Sequence, residues 1–316
     1  MGIYQRSSLI VDPNQPYRDF NIYLRSLYAQ RVQKIPLQAG FSCPNLDGTL
    51  SSAGCIYCSL GSAAKWTDVS LPVLDQLQLG IDLARHKYRA DKFIAYFQSY
   101  TNTYAPLGCL QNAFSSVFDC PGVVGLAIGT RPDCLPDEVI AYLAELAQGH
   151  KVFLEIGLQS AHDQTLALIN RGHDWACFVD TIHRVQSIRD ESGLDRINGL
   201  EIVVHLILGL PGEDSAMMLE TAKKVAQLGV EGVKLHLLHV IKDTALADMY
   251  AREEFELLQM DEYVDLVCQV IRIFPSQTVW HRLTGETSSE LLIGPKWCLN
   301  KQLVLNKIKE KLDWKL

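Results

Sequence analysis

From Val32 onward the chain alternates between two patterns. Short, nearly continuous apolar runs bounded by turn residues read as strands buried on both faces: Val32–Ala39, Lys92–Gln98, Val123–Gly129, Val152–Gln159, Leu200–Gly209 and Val233–Val240. Between them apolar residues recur at helical spacing. Leu71, Leu74, Leu77, Ile81 and Ala84 do so after the start signal Ser70-Leu-Pro72; Pro106–Phe118, Pro136–Ala147, the stretch through Phe178, Ile182, Val185 and Ile188, and Asp214–Leu228 follow. Buried strands separated by amphipathic helices imply a parallel sheet covered by helices. Six such units predict an α/β fold, a partial (β/α)6 TIM-like barrel, entered through a polar arm with Pro13 and Pro16 and a helix over Tyr17–Tyr28. Past Val240 the rhythm breaks into helices near Ala245–Leu258 and Asp261–Phe274, an extended piece Thr278–Leu283 and a Lys-rich helix from Asn300. The expected organisation is an N-terminal arm and helix (1–30), the barrel (31–242) and a mostly helical C-terminal extension (243–316) closing one side.

In such a barrel chemistry gathers at the C-terminal ends of the strands. Those ends are polar here: Phe97 to Tyr104, Gly129-Thr-Arg-Pro-Asp133, Glu155-Ile-Gly-Leu-Gln-Ser160, His205 to Glu213, and Lys234-Leu-His236. Strand alternation puts Glu155, Gly157 and Gln159 on one face, and Lys234 on the same face as His236. An acid, an amide, a cation and imidazoles at one mouth suit a zwitterionic cofactor and a polar substrate. Singly each has a plainer use, Glu155 as the partner of Arg131, and His205 or His236 as hydrogen-bonded core histidines. Gly209-Leu-Pro-Gly212 has the form of an anion-cradling turn, a pattern common to βα loops.

The loop after the first strand, Phe41 to Leu60, holds Cys43, Cys55 and Cys58. Cys55 and Cys58 stand two residues apart and can face one metal, while the turn residues Pro44-Asn45, Asp47-Gly48 and Ser52-Ala53-Gly54 let the loop fold back and deliver Cys43. Three thiolates leave two readings. An iron–sulfur cluster held by three cysteines keeps one iron open for substrate or cofactor; a zinc knuckle would need one of the nine histidines as fourth ligand. The other six cysteines, Cys109, Cys120, Cys134, Cys177, Cys268 and Cys298, are scattered singly and read as small buried apolar residues.

An odd number of cysteines and no secretory h-region at the N-terminus argue against a disulfide framework. No apolar run approaches the ~20 residues that span a bilayer, so a cytoplasmic protein without a membrane partner is expected. The net charge of −7 hides a gradient. Residues 1–40 carry five Arg or Lys against two acids and residues 296–316 six Lys against two, which leaves −14 for the middle. Two basic ends gripping a polyanion, or the solvated faces of terminal helices, both account for this.

The three-cysteine loop with Tyr57 directly before its last cysteine, followed by six βα units, resembles the radical S-adenosylmethionine (SAM) superfamily. The eleven residues between Cys43 and Cys55 depart from that superfamily's commonest spacing of three. They are similar to the branch holding the Elongator catalytic subunit and the YhcC-type proteins. The likeness to the YhcC type runs through Gly40 to Gly48, Phe97 to Ala105, Gly129-Thr-Arg-Pro-Asp133, Gly157-Leu-Gln-Ser160, Asn170-Arg-Gly-His173, Gly209-Leu-Pro-Gly-Glu213 and His281-Arg-Leu-Thr284. The resemblance implies that Cys43, Cys55 and Cys58 ligate a [4Fe–4S] cluster whose fourth iron chelates SAM. Injection of an electron then cleaves SAM to methionine and a 5′-deoxyadenosyl radical, which abstracts hydrogen from substrate. It also implies a low-potential electron donor such as flavodoxin or ferredoxin. Against the oxygen-independent coproporphyrinogen oxidases, a further branch, Gln159 and Arg171 match SAM contacts, and Ser99-Tyr100-Thr101 stands where a glycine-rich turn meets the methionine amine. Where those enzymes carry an aspartate this chain has His205, which then faces ribose or substrate. Glu155 joins this cofactor set.

For the substrate, the Elongator-like branch and the basic ends favour RNA, through a wobble-uridine side chain of tRNA. Trp297 and Trp314 near the C-terminal lysines are placed to stack on bases or to pack in the core. A small carboxylated metabolite held by Lys234, His236, His239 and Arg282 is the alternative within the same chemistry, with Lys234, His236 and His239 as catalytic candidates in both. A non-catalytic metal or redox module is the alternative outside it.

Overall fold

The protein is described here by a computed structural model covering residues 16–58, 69–192 and 199–313. In chain order the elements are β1 (Arg18–Asp19), α1 (Phe20–Tyr28), β2 (Val32–Leu37), α2 (Val73–Tyr88), β3 (Lys92–Phe97), α3 (Leu107–Ser115), β4 (Val123–Thr130), α4 (Asp137–Gly149), β5 (Lys151–Gln159), α5 (Asp163–Leu168), α6 (Trp175–Glu191), β6 (Leu200–Leu208), α7 (Ser215–Gln227), β7 (Gly232–Leu237), β8 (Val240–Ile241), α8 (Ala245–Ala251), α9 (Met260–Ile273), β9 (Val279–Arg282), β10 (Leu292–Gly294) and α10 (Lys301–Asp313). Eight strands form one parallel sheet in the order β1-β9-β7-β6-β5-β4-β3-β2, curled into a half-barrel, while β8 and β10 pair antiparallel apart from it.

The six expected strands form within a residue or two of their expected limits, apart from the sixth, which stops at Leu237 and leaves Val240–Ile241 to a separate ribbon. Four differences have local causes. The six-residue α5 is too short to show a period. The helix expected over Ala245–Leu258 stops at Ala251, and Glu253 just beyond it has φ +58°. Residues 18–19, expected to open a helix, pair with β9 instead, and Asp19 caps α1 by accepting from the Asn21 amide. The extended piece near residue 280 is a full member of the sheet, β9, seated between β7 and β1.

The strands are buried on both faces, as a parallel sheet requires. The outer face packs Phe93, Phe97, Ile128, Leu154, Ile156 and Val204 against the helices. On the inner face Phe20, Tyr23 and Leu24 of α1 lie over Ile94, Tyr96, Ala127, Phe153, Val203 and Val279. That apolar layer fills the N-terminal half of the barrel interior and leaves the polar residues at the strand ends above it.

None of the nine cysteines is in a disulfide. Cys134, Cys268 and Cys298 are buried as expected, Cys120 and Cys177 are half-buried, and Cys109 is exposed, because it sits on the outward side of α3. Among the described residues no helix is long and apolar enough to cross a membrane. At the C-terminus Val304, Ile308 and Leu312 of α10 are buried, and three of its four lysines pair with acids: Lys307 with Asp261 at 2.8 Å, Lys311 with Asp265 and Lys301 with Glu286. Trp297 packs inward, its Nε1 donating to Leu258 O at 3.1 Å; Trp314 lies outside the described residues.

Candidate active site

The long span between Cys43 and Cys55 is a folded loop. Leu46 and Asp47 donate backbone N–H groups to Cys43 O, Leu50 and Ser51 donate to Pro44 O, and Gly54 donates to Asn45 O at 2.8 Å. The loop is then tied to the turn between α5 and α6. The buried Asn45 amide donates to Asn170 O at 2.6 Å and lies 3.6 Å from Cys55 Sγ, while Asn170 Nδ2 donates to Gly54 O at 2.6 Å and to Ser51 Oγ. Gly172, at φ +78°, makes this approach possible. A Cβ there would stand 2.7 Å from Asn45 Oδ1 and 2.9 Å from an Arg131 nitrogen.

This brings Cys43, Cys55 and Cys58 to one wall of a cavity of 240 Å³ at the C-terminal ends of the strands. The opposite walls are Ser99, Tyr100, Thr101, Gly129, Arg131, Glu155, Gly157, Gln159, Arg171 and His205. Asn102 fixes the turn after β3 by donating to Phe97 O, Ser99 O and Gly129 O, and Thr101 N donates to Ser42 O. Tyr100 and Gln159 both take positive φ, 64° and 78°, where strand gives way to site. Arg171 donates to Gly157 O at 2.6 Å and lies 3.7 Å from Cys55 Sγ. Burial works against its charge, but Tyr57 and Cys55 raise its pKa more. The Cys58 thiol is pushed up to about 11, first by burial and then by its neighbours Cys55 and Cys43.

The donor set suits an anionic iron–sulfur cluster. Three thiolates at one wall of the cavity would leave one iron of such a cluster open. Buried Arg171 Nε, Arg131 Nη1 and Thr101 Oγ1 also have no partner among the described residues, leaving donors for a negatively charged group.

Beneath the cavity Glu155, with no solvent exposure, binds Lys34 Nζ at 2.7 Å, Lys234 Nζ, and His205 Nε2 at 3.2 Å. Burial pushes its pKa up, but Lys234 and Lys34 outweigh this and hold it well below the usual carboxylate range. Lys34 also sits over the rings of Phe20 and Tyr96, at 4.5 and 4.8 Å. Lys234 donates to the Tyr96 hydroxyl at 2.9 Å. Burial, then Lys234, lowers His205 to about 4; burial, then Arg282, lowers His239 to about 4 and carries His236 well below its ordinary value.

All ten residues expected to hold metal or SAM therefore line one cavity: Cys43, Cys55, Cys58, Ser99, Tyr100, Thr101, Glu155, Gln159, Arg171 and His205. The catalytic candidates Lys234, His236 and His239 do not line it; Lys234 reaches it only through Glu155. Glu155 does not pair with Arg131, which is turned onto Asp133 at 2.8 Å. The sequence pattern assigns no role at the site to Lys34 or Asn102, and to Asn45 and Asn170 only a place in a turn or motif. Asn45, Asn102 and Asn170 each lie inside a stretch quoted above, whereas Lys34 carries no local sign of its role.

Residues 52–225 match the model of the radical SAM superfamily, and residues 230–313 that of the radical SAM C-terminal domain. Bacillus subtilis YtqA is 41% identical over 94% of this chain and 89% of its own length; Escherichia coli YhcC is 38% identical over 87% and 85%. The tRNA uridine(34) acetyltransferase of Methanocaldococcus infernus is 27% identical over 54% of this chain, an alignment spanning 30% of that protein. Among solved structures, M. infernus Elp3 with an N-terminal deletion superposes with a TM-score of 0.63 at 19% identity, over 89% of this chain and 63% of that one, a likeness of fold. Family models that together run from the cysteine loop to the last helix, and relatives similar over most of their length, place this chain in the radical SAM superfamily, as an enzyme of the branch that includes YhcC and YtqA.

Proposed function

We propose that Cys43, Cys55 and Cys58 ligate a [4Fe–4S] cluster, that SAM is held in the same cavity by the Ser99–Thr101 turn, Gln159 and Arg171 with Glu155 and His205 at its inner wall, and that the enzyme modifies a wobble-uridine side chain of tRNA. The observation that carries the reading is that one cavity collects three cysteines and every cofactor candidate. A cluster and SAM, which membership of the superfamily implies, would supply radical chemistry for hydrogen abstraction from substrate once an electron is delivered. The protein's part is placement. Asn45 and Arg171 direct N–H groups at Cys55 Sγ, Asn102 holds the turn at Ser99, and the Glu155 network closes the floor against water. The low-potential electron comes from a flavodoxin- or ferredoxin-like donor.

Support for tRNA is the similarity to part of the tRNA uridine(34) acetyltransferase; an alignment over 30% of that protein carries no acetyl transfer with it. The lysines of α10 add little, because three of the four are paired with acids. The cationic inner face around Arg282 favours a second reading, a small carboxylated metabolite, equally compatible with the cavity. After anaerobic reconstitution with iron and sulfide, SAM and a strong reductant should yield 5′-deoxyadenosine from the wild type and none from Cys55→Ala. Filter binding to undermodified tRNA at low salt, where phosphate contacts are strongest, tests the substrate class. No binding there removes tRNA while leaving the SAM chemistry intact.

A further inference from the structure

Around Glu155 the inner face carries three cations, buried Lys234 and half-buried Lys34 and Arg282, against one buried carboxylate. Lys34 and Lys234 share the single carboxylate of Glu155. Arg282 is brought level with Lys234 by the register of β7 on β9, where a bulge falls between Trp280 and Arg282. It makes no hydrogen bond or ion pair with any described residue. Glu286, four residues on, is hydrogen-bonded by Lys301 and is lowered by the charge of Arg282 as well, without forming an ion pair with it. Beside Arg282 stand two imidazoles, His236 and His239, each lowered by burial and then by its charge, and the Nε2 atom of each is buried without a partner among the described residues. His239 is fixed by close packing on Gly285, where an added Cβ would stand 2.9 Å from Cε1.

These groups adjoin the candidate active site. The His236 ring lies 5.5 Å from that of His205, and His205 lines the cavity of the cysteines. A half-buried guanidinium with no ion-pair partner among the described residues is open to an anion, and its planar fork matches the two oxygens of a carboxylate or phosphate. Neutral imidazoles each offer one N–H to the same oxygens. We propose that Arg282, His236 and His239 form an oxyanion subsite that seats a carboxylate or phosphate of the substrate next to the cavity. Calling that oxyanion the substrate's rests on the function proposed above; the subsite itself does not.

Thermal denaturation of the reconstituted full chain, titrated with acetate, methyl phosphate or the uncharged acetamide at ionic strength matched with chloride, tests this. At least one of the two anions should raise Tm saturably, with the preferred one identifying carboxylate or phosphate, and acetamide should not. Arg282→Gln and His239→Asn should each shift the titration midpoint tenfold or more to higher concentration, and Arg282→Lys, which keeps the charge but loses the fork, should fall between. His239→Asn carries the test if Arg282→Gln does not fold. A Tm indifferent to both anions, or a rise that the Gln and Asn variants keep, overturns the proposal. Because nothing in this measurement cleaves SAM, its failure leaves 5′-deoxyadenosine formation as a separate result.

Discussion

A carboxylate sealed from solvent would ordinarily take up a proton; Glu155 keeps its charge because two lysines and an imidazole surround it. The arrangement is asymmetric in what its loss would cost. Removing the carboxylate leaves Lys34 and Lys234 buried together with no acid between them, whereas removing all three charges leaves an apolar layer continuous with Phe20, Tyr96 and Phe153. Glu155→Gln is therefore expected to lower the stability of the chain by about 3–5 kcal/mol, read from the urea midpoint at unchanged slope. The triple variant with Lys34→Met and Lys234→Met should recover most of that loss. A Gln variant as stable as the wild type would show that the lysines are already uncharged in the fold. This network also marks a limit on what a sequence conveys at this scale. Glu155 and Lys234 announce themselves as charges at strand ends, but Lys34 lies 121 positions from Glu155 and reads as one more surface lysine in an unremarkable strand. Only the curl of the sheet, which brings β2 across from β5, makes them neighbours.

At the scale of elements, the cysteine loop shows what local chemistry does convey. Its turn residues predict that eleven residues double back to bring Cys43 toward Cys55 and Cys58, and the backbone bonds onto Cys43 O and Pro44 O carry that out. What turn propensity cannot supply is the anchor. Asn45 and Asn170 cross-link the loop to the segment after α5, a helix too short to leave a periodic trace, and this second connection positions Arg171 as well. Asn45→Ala removes the Nδ2 donor to the half-buried Asn170 carbonyl and the buried Arg171 carbonyl, a loss of about 1–3 kcal/mol for an unsatisfied group. If that cost falls on the loop, the cluster should be shed to a chelator on the order of tenfold faster, with the visible absorbance of the reconstituted protein as the readout. Wild-type rates of cluster loss from the alanine variant would mean that the cysteines hold their places without the loop's anchor.

For the whole molecule, the alternating pattern gave the parallel sheet directly, since each βα unit is written in some thirty residues of its own sequence. The sheet's outer limit was not written locally. β9 is four residues long and β1 two, and nothing in either segment says which edge it will join; pairing places β9 on β7 and β1 on β9, so residues from both chain ends complete an eight-stranded sheet. The same join delivers Arg282 to the level of Lys234 and thus the cationic side of the inner face. The packing follows suit. Tyr263, Val264, Val267 and Ile271 of α9 are buried in the same core as Val225 of α7 and Leu235 of β7, and Trp280 lies edge-on to Phe274 at 5.4 Å. If residues 243–316 were to unfold alone, the edge of β7 and this shared apolar surface would both be exposed to water, which disfavours a partly unfolded state relative to complete unfolding. The expectation is a single cooperative urea transition, in which variants keeping only Trp175, on α6, and only Trp280, on β9, report the same midpoint as the far-ultraviolet circular dichroism. An earlier midpoint at Trp280 would instead show the C-terminal segment as a separately folding unit, and the oxyanion subsite that hangs on β9 would then open and close with it.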